Sequence, residues 1–286
     1  MKIFRHLVLL TAFWAIFPQQ VPADQGITRL SDRQEVGFAA MIAAAATTEA
    51  IFIGEIHNQP SHQQMALAVI RALQDQDHAL AIGLEMMQME SQPALDAWYQ
   101  GRLSEESFVA IYSQNWSYPW EQYRDIFIFA RDQEIPLVAL NLDKQLVNKV
   151  GRQGFAALSS EERQLLPPDI TAGLNSSYTR LMDTFFRPVF ERVTTGRNYA
   201  FFLEAQGLRN NGMAANLARF GAANPDRKLV IIAGFWHTVK SSVPDRLAEQ
   251  RPLQTTVILP AMGGFGGQDE HYRQGDYLVG DLSPLR

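Results

Sequence analysis

The sequence predicts an α/β protein: a mainly parallel central sheet flanked by helices, with a long helical insert between the third and fourth strands. Five short, strongly apolar runs predict the strands, at residues 50–54, 79–84, 137–140, 229–233 and 256–259. Runs this short and this apolar suit strands buried on both faces. Helical pattern separates the runs, and strands alternating with helices build parallel sheets.

Each element has a local reason. Residues 31–46 read as a helix with Ser31 in the cap position. Residues 61–74 follow Pro60, a favoured first helical residue. Residues 121–133 and 206–220 carry helical periodicity. Residues 141–228 are far longer than one crossover needs, and they are rich in rings: Phe155, Tyr178, Phe185, Phe186, Phe190, Tyr199, Phe201 and Phe202. Such an insert either completes the core as a helical layer or caps an apolar pocket.

Residues 1–23 differ from the rest. Lys2 and Arg5 precede an apolar run from Leu7 to Phe17, Pro18 breaks it, and Val21-Pro22-Ala23 offers a cleavage site. That is the layout of a secretory signal peptide. The expectation is therefore a leader at 1–23, cleavage near Ala23, and one domain over 24–286, located in the periplasm or secreted.

The 286 residues include no cysteine. Disulfides, thiolate metal sites, iron–sulfur clusters and a lipid anchor on a cleavage-site Cys are thereby excluded. The formal charge is −5, and removing Lys2 and Arg5 with the leader makes it −7. Non-specific nucleic-acid binding needs a basic surface that this chain does not offer.

Open parallel sheets hold ligands at the carboxyl ends of their strands. The first run ends in Gly54-Glu55-Ile56-His57, with His62 in the next helical turn. The second ends in Glu85, the third reaches Asn141 and Asp143, and the fourth ends in Gly234-Phe235-Trp236-His237. Two strands thus end in Gly-x-x-His. Imidazole and carboxylate are the ligands for Zn, Mn or Fe when thiols are absent, which makes His57, His237 and Glu85 a candidate metal set. Glu55 beside a metal-bound water could serve as general base in a hydrolase. Gln206-Gly207-Leu208-Arg209 reads as a helix start that aims Gln206 and Arg209 at an anionic group. Met86, Met87 and Met89 read as gap fillers, and the glycine-rich stretch 263–267 as a loop.

Taken in order, Gly54-Glu55-Ile56-His57 with His62, Leu84-Glu85-Met86, Gln206-Gly207-Leu208-Arg209 and Gly234-Phe235-Trp236-His237 resemble the ChaN family of haem-binding proteins linked to iron uptake. That superfamily also holds the Tiki metalloproteases, marked by paired Gly-x-x-His motifs, and is related in fold to the erythromycin esterases. The resemblance spans roughly residues 31–260. It implies haem or another iron-containing small molecule as ligand, an extracytoplasmic site of action, a homodimer and an outer-membrane haem uptake system as partners. The matching residues are Glu55, His57, Glu85, Gln206, Arg209 and His237. Two features depart from the pattern: family lipoproteins carry a Cys that is missing here, and Asn210 stands where Asp is expected. Tyr, His and Met are the chemically available axial ligands, and Arg209 or Arg197 could meet a propionate. The alternative reading is a metal-dependent esterase or protease built on His57, His237 and a Glu.

Overall fold

The computed structural model of the chain describes residues 26–194, 196–263, 265 and 269–280. The leader expected at 1–23 and most of the glycine-rich stretch lie outside them. Eight strands form one sheet: β1 (Ile27–Arg29), β2 (Gln34–Val36), β3 (Ala50–Glu55), β4 (Leu80–Gln88), β5 (Leu137–Asn141), β6 (Lys228–Gly234), β7 (Thr255–Pro260) and β8 (Tyr277–Val279). Their order is β2-β1-β8-β7-β3-β6-β4-β5. From β8 to β5 every pairing is parallel, and β1 and β2 add an antiparallel edge.

Alternation along the strands divides the apolar residues between two faces. Ile51, Ile53, Ile82, Leu84, Val230 and Ile232 share one cluster with α1 (Phe38–Ala45), α2 (Pro60–Gln74), α3 (Gln92–Tyr99), α4 (Glu105–Asn115) and α5 (Trp120–Asp132). Ala50, Phe52, Ala81, Leu229, Ile231 and Val257 face the opposite side.

The insert brings α6 (Lys144–Gln153), α7 (Ser160–Gln164), α8 (Ser176–Phe185), α9 (Arg187–Val193) and α10 (Tyr199–Ala223). Of these, α8 and α10 pack on the second face, joined by α11 (Phe235–Thr238) and α12 (Val243–Gln250). A short α13 (Asp269–Tyr272) precedes β8. The insert aromatics serve this layer. Tyr178 and Phe185 are buried against the sheet, while Phe190 packs with Phe186, Tyr199 and Phe202.

Two local expectations change. Residues 31–46 do not form one helix. Asp32 pairs with Arg29 and accepts from the Gln34 amide at 3.2 Å, and Arg33 adopts φ 60°. The chain therefore turns into β2, because an Asp that bonds its neighbouring backbone competes with a helical start. The helix begins only at Phe38. Likewise Gln206 does not open a helix: α10 starts at Tyr199, where the Asn198 side chain caps the Ala200 amide at 2.9 Å.

Candidate functional site

Register brings the polar strand ends together. Glu55 pairs with Gly234 across β3 and β6, and Leu84 pairs with Ile232 across β4 and β6, so Glu85 ends one row from Gly234. Both carboxylates are 1% exposed. Charges so placed persist only when paired and hydrogen-bonded.

Glu55 is satisfied by three donors. His57 Nδ1 donates to Oε1 at 2.8 Å, Tyr123 OH donates to Oε1 at 2.6 Å, and Gln63 Nε2 donates to Oε2 at 2.6 Å. These fix the tautomer and direction of His57, whose Nε2 turns away from Glu55. The ring then lies against Gly234. A Cβ at that position would meet His57 Cε1 at 2.8 Å, Nε2 at 2.9 Å and Glu85 Oε2 at 3.3 Å, so only glycine admits this approach. At the other strand end, a Cβ on Gly54 would strike Thr238 Oγ1 at 2.7 Å, which lets α11 sit down on β3.

Glu85 has a different set of partners. Arg209 Nη2 donates to Oε1, and the Gly234 amide donates to Oε2. His237 Nε2 lies 3.7 Å from Oε1. Asn141 supports this arrangement, donating from Nδ2 to the Glu85 carbonyl at 3.0 Å while its Oδ1 faces Arg209 Nε at 3.4 Å. His237 is held from behind, since Asn210 Oδ1 lies 2.6 Å from Nδ1. Beyond it the Tyr178 hydroxyl, Asn210 Nδ2 and Ser242 Oγ are buried beside one another.

These environments push the ionisable groups apart. Burial opposes the charge on Glu85, but the neighbouring His237, Arg209 and His57 and the Gly234 amide outweigh it and hold the carboxyl at about 2. Burial, reinforced by the Arg209 charge, pushes His237 down to about 3. At neutral pH His237 is thus uncharged, and Arg209 is the cation that keeps Glu85 ionised. For His57, burial is overcome by the Glu55 hydrogen bond and the two carboxylates, so its value rises.

The predicted residues divide accordingly. Glu55, His57, Glu85, Arg209, Gly234 and His237 come together, and Gly54 shapes the same edge. His62 Nδ1 accepts from the Ile56 amide at 2.9 Å, fixing the turn that carries His57. Gln206 is buried one turn before Arg209 but makes no hydrogen bond to the carboxylates among the described residues. Asp143 caps α6, accepting from Gln145 and Leu146. Met86 and Met87 are core residues.

His57, His237 and Glu85 converge, yet among the described residues no three His, Cys, Asp or Glu side chains are arranged to hold a metal ion. The physical reason is visible in Glu85, whose two oxygens already take Arg209 and the Gly234 amide.

Four contributors were not among the predicted site residues. Gln63 and Tyr123 buttress Glu55. Trp116 and Tyr118, both half-buried, stand over His57 with ring centroids 4.9 and 5.2 Å away. Burial and the Glu55 and Glu85 carboxylates push the Tyr118 phenol up to about 12.

The comparisons with known proteins agree with this architecture. A structure titled cofacial heme binding to ChaN of Campylobacter jejuni superposes with a TM-score of 0.69 at 16% identity, covering 92% of this chain and 98% of the other. Protein RETICULATA-RELATED 5, chloroplastic, from Arabidopsis thaliana is 21% identical over 224 residues, 73% of this chain; the match spans 30% of that longer protein. The family model described as haem-binding uptake, Tiki superfamily, ChaN matches residues 41–247, and the chain belongs to that family.

Proposed function

We propose that this protein is exported and binds haem for haem or iron uptake, with the haem lying against Trp116 and Tyr118 at the mouth of the strand-end site. Family membership supports haem as the ligand. On this chain the carrying observation is the Trp116–Tyr118 pair, two half-buried rings 5.7 Å apart beside His57. Haem needs apolar contact area and an axial donor. The ring pair offers the area, and the Tyr118 phenol is a donor of suitable chemistry. The Trp116 indole N–H is buried beside the Tyr123 hydroxyl, which holds the ring in place next to His57. Bound haem would supply a ferric or ferrous centre, and the protein's part is to hold and shield it.

Two further points belong to this reading. Residues 1–23 deliver the chain to the periplasm or outside the cell, where it meets an outer-membrane haem uptake system. The Campylobacter protein is described with cofacial haems. A second copy of this chain would cover an open aromatic face, so haem loading brings two copies together. Haemin titration tests the core claim. A Soret shift that saturates at a defined stoichiometry is expected, and Tyr118→Phe should weaken it about tenfold or more. A spectrum that never saturates rejects haem binding. N-terminal sequencing of the protein from its producing cell should begin near residue 24, and an intact cytosolic Met1 rejects export.

A further inference from the structure

We propose that Tyr123 is a redox-active tyrosine: it yields an electron to a one-electron oxidant formed at the Trp116–Tyr118 rim, passes its phenol proton to Glu55, and is refilled through Trp120. The inference rests on the haem reading only for the source of the oxidant, because the relay is built from this chain's own side chains.

Tyr123 lies on α5 and is fully buried. A phenol that loses an electron becomes a strong acid, and a buried cation is costly unless an acceptor for its proton is at hand. The Tyr123 hydroxyl has one: it donates to Glu55 Oε1 at 2.6 Å, within direct proton-transfer reach. His57 Nδ1 and Gln63 Nε2 hold the same carboxylate at 2.8 and 2.6 Å, so it stays aligned while it carries the proton. Burial and the Glu55 charge push the phenol well up, so the proton leaves only with the electron. Two other buried tyrosines show the contrast. Tyr112 donates to the Tyr118 carbonyl at 3.1 Å, and Tyr178 stands beside Asn210 and Ser242; none of these partners is a base.

Tyr123 is connected on both sides. Towards the rim, its hydroxyl lies beside the Trp116 indole N–H, and the Trp116 and Tyr118 rings are 5.7 Å apart. Towards the surface, the Tyr112 ring centroid lies 6.3 Å from that of Tyr123 and 5.2 Å from that of Trp120. These are ordinary aromatic contact distances, across which an electron tunnels readily. Trp120 is the second station, because its indole N–H donates at 3.1 Å to Glu105 Oε1. The Glu105 side chain is 35% exposed and is also paired with Arg124, so an oxidised indole there loses its N–H proton to a carboxylate in contact with water. Tyr112 has no such base and bridges two stations that do.

Each step balances. The oxidant takes one electron from Tyr123 as the O–H proton moves to Glu55 Oε1, leaving a neutral phenoxyl and a neutral carboxylic acid. Trp120 then gives one electron across Tyr112 to the phenoxyl, while Glu55 returns its proton to Tyr123 and the Trp120 N–H proton passes to Glu105. A small enediol reductant of the ascorbate type gives one electron to Trp120, and Glu105 returns that proton. The reductant loses its own proton to water. The protein ends unchanged, and an oxidising equivalent that arose beside the rim rings has been discharged in solution.

The full chain is tested without haem, using a ruthenium(II) polypyridyl photo-oxidant with persulfate as the electron acceptor and freeze-quenched electron paramagnetic resonance as the readout. Expected is a persistent tyrosyl signal that changes shape in protein made with ring-deuterated tyrosine, which identifies the radical without any substitution. Tyr123→Phe keeps the ring in its packing and should remove that signal. Glu55→Gln keeps the shape of the acceptor but not its basicity, and the signal should fall about 100-fold. In Trp120→Phe, quenching of the signal by ascorbate should slow about tenfold or more. Circular dichroism confirms that each variant is folded. The inference is overturned by the absence of a tyrosyl signal in the unmodified chain, by a signal undiminished in Tyr123→Phe or Glu55→Gln, or by unchanged quenching in Trp120→Phe. Haemin titration of the same preparations keeps the haem reading separate, since the dye supplies the oxidant whether or not haem binds.

Discussion

Without the Arg209 guanidinium, Glu85 would keep one amide and a neutral imidazole as company in a site 1% exposed. Stripping one partner from a buried ion pair costs about 3–5 kcal/mol. Arg209→Met should destabilise the protein by that amount in urea unfolding, and the double variant with Glu85→Gln should recover much of it. A double variant no better than the single would mean Arg209 acts through packing. The same residues set the acid response. His237 is held near 3 against an ordinary 6.5, so the unfolded chain takes up a proton that the folded one refuses. Its contribution is present above pH 6.5 and is lost as pH falls towards 3. Glu85, near 2 against 4.5, adds a loss between pH 4.5 and 2. His57 runs the other way: its contribution is present below 6.5 and fades as pH rises through its elevated value. Urea midpoints measured against pH should therefore begin to fall below pH 6.5, and His237→Gln should flatten the limb between 6.5 and 4.5. An unchanged slope in that variant would remove His237 as the cause. At this scale the sequence was most informative where chemistry sits at strand ends. Glu55, His57, Glu85 and His237 could be found because short apolar runs mark where strands stop. Tyr123 could not, since a Tyr on the buried face of a helix reads as core, and only the fold brings it within 2.6 Å of Glu55.

Among the elements, α10 is the one that ties the insert to the site. It carries Arg209 and Asn210 and packs Met213, Ala214 and Leu217 on the sheet. Its approach to the preceding loop depends on Gly207, where a Cβ would lie 2.1 Å from the Ala172 carbonyl oxygen. Gly207→Ala must push helix and loop apart, and overpacking of this kind costs about 1–3 kcal/mol. Because the displaced turn bears Arg209, the urea midpoint should drop, whereas an unchanged midpoint would show that the loop simply yields. The element level also shows what the sequence hid. The parallel strands β3 to β7 were legible because both faces of each are buried, leaving unbroken apolar runs. The strands β1, β2 and β8 are three residues each and lie towards the sheet edge, too short for any period to register. The 31–46 region misleads for a related reason. Its apolar residues suit a helix, but the Arg29–Asp32 pair and the positive φ of Arg33 commit the chain to a turn first.

At the scale of the whole molecule, the aromatic insert serves as the second helical layer, and the candidate haem surface lies on the opposite flank, between α4 and α5, where Trp116 and Tyr118 stand. The buried polar cluster sits beneath that rim. A haem held chiefly by apolar area, at about 25 cal/mol per Å² buried, draws little from side chains it does not touch. A bare metal ion would depend wholly on its three or four ligands. The double substitution His57→Ala with His237→Ala separates these cases. It should abolish any metal binding, yet leave haem affinity within about tenfold of the unmodified chain, whereas Tyr118→Phe should lower haem affinity about tenfold or more. Circular dichroism on each variant confirms that the comparison is between folded proteins, and haemin titration with elemental analysis reads the result. Collapse of haem binding in the folded double variant would make His57 or His237 the axial ligand. The aromatic rim and the strand-end cluster would then be one site with one ligand, and the division of labour argued here would fail.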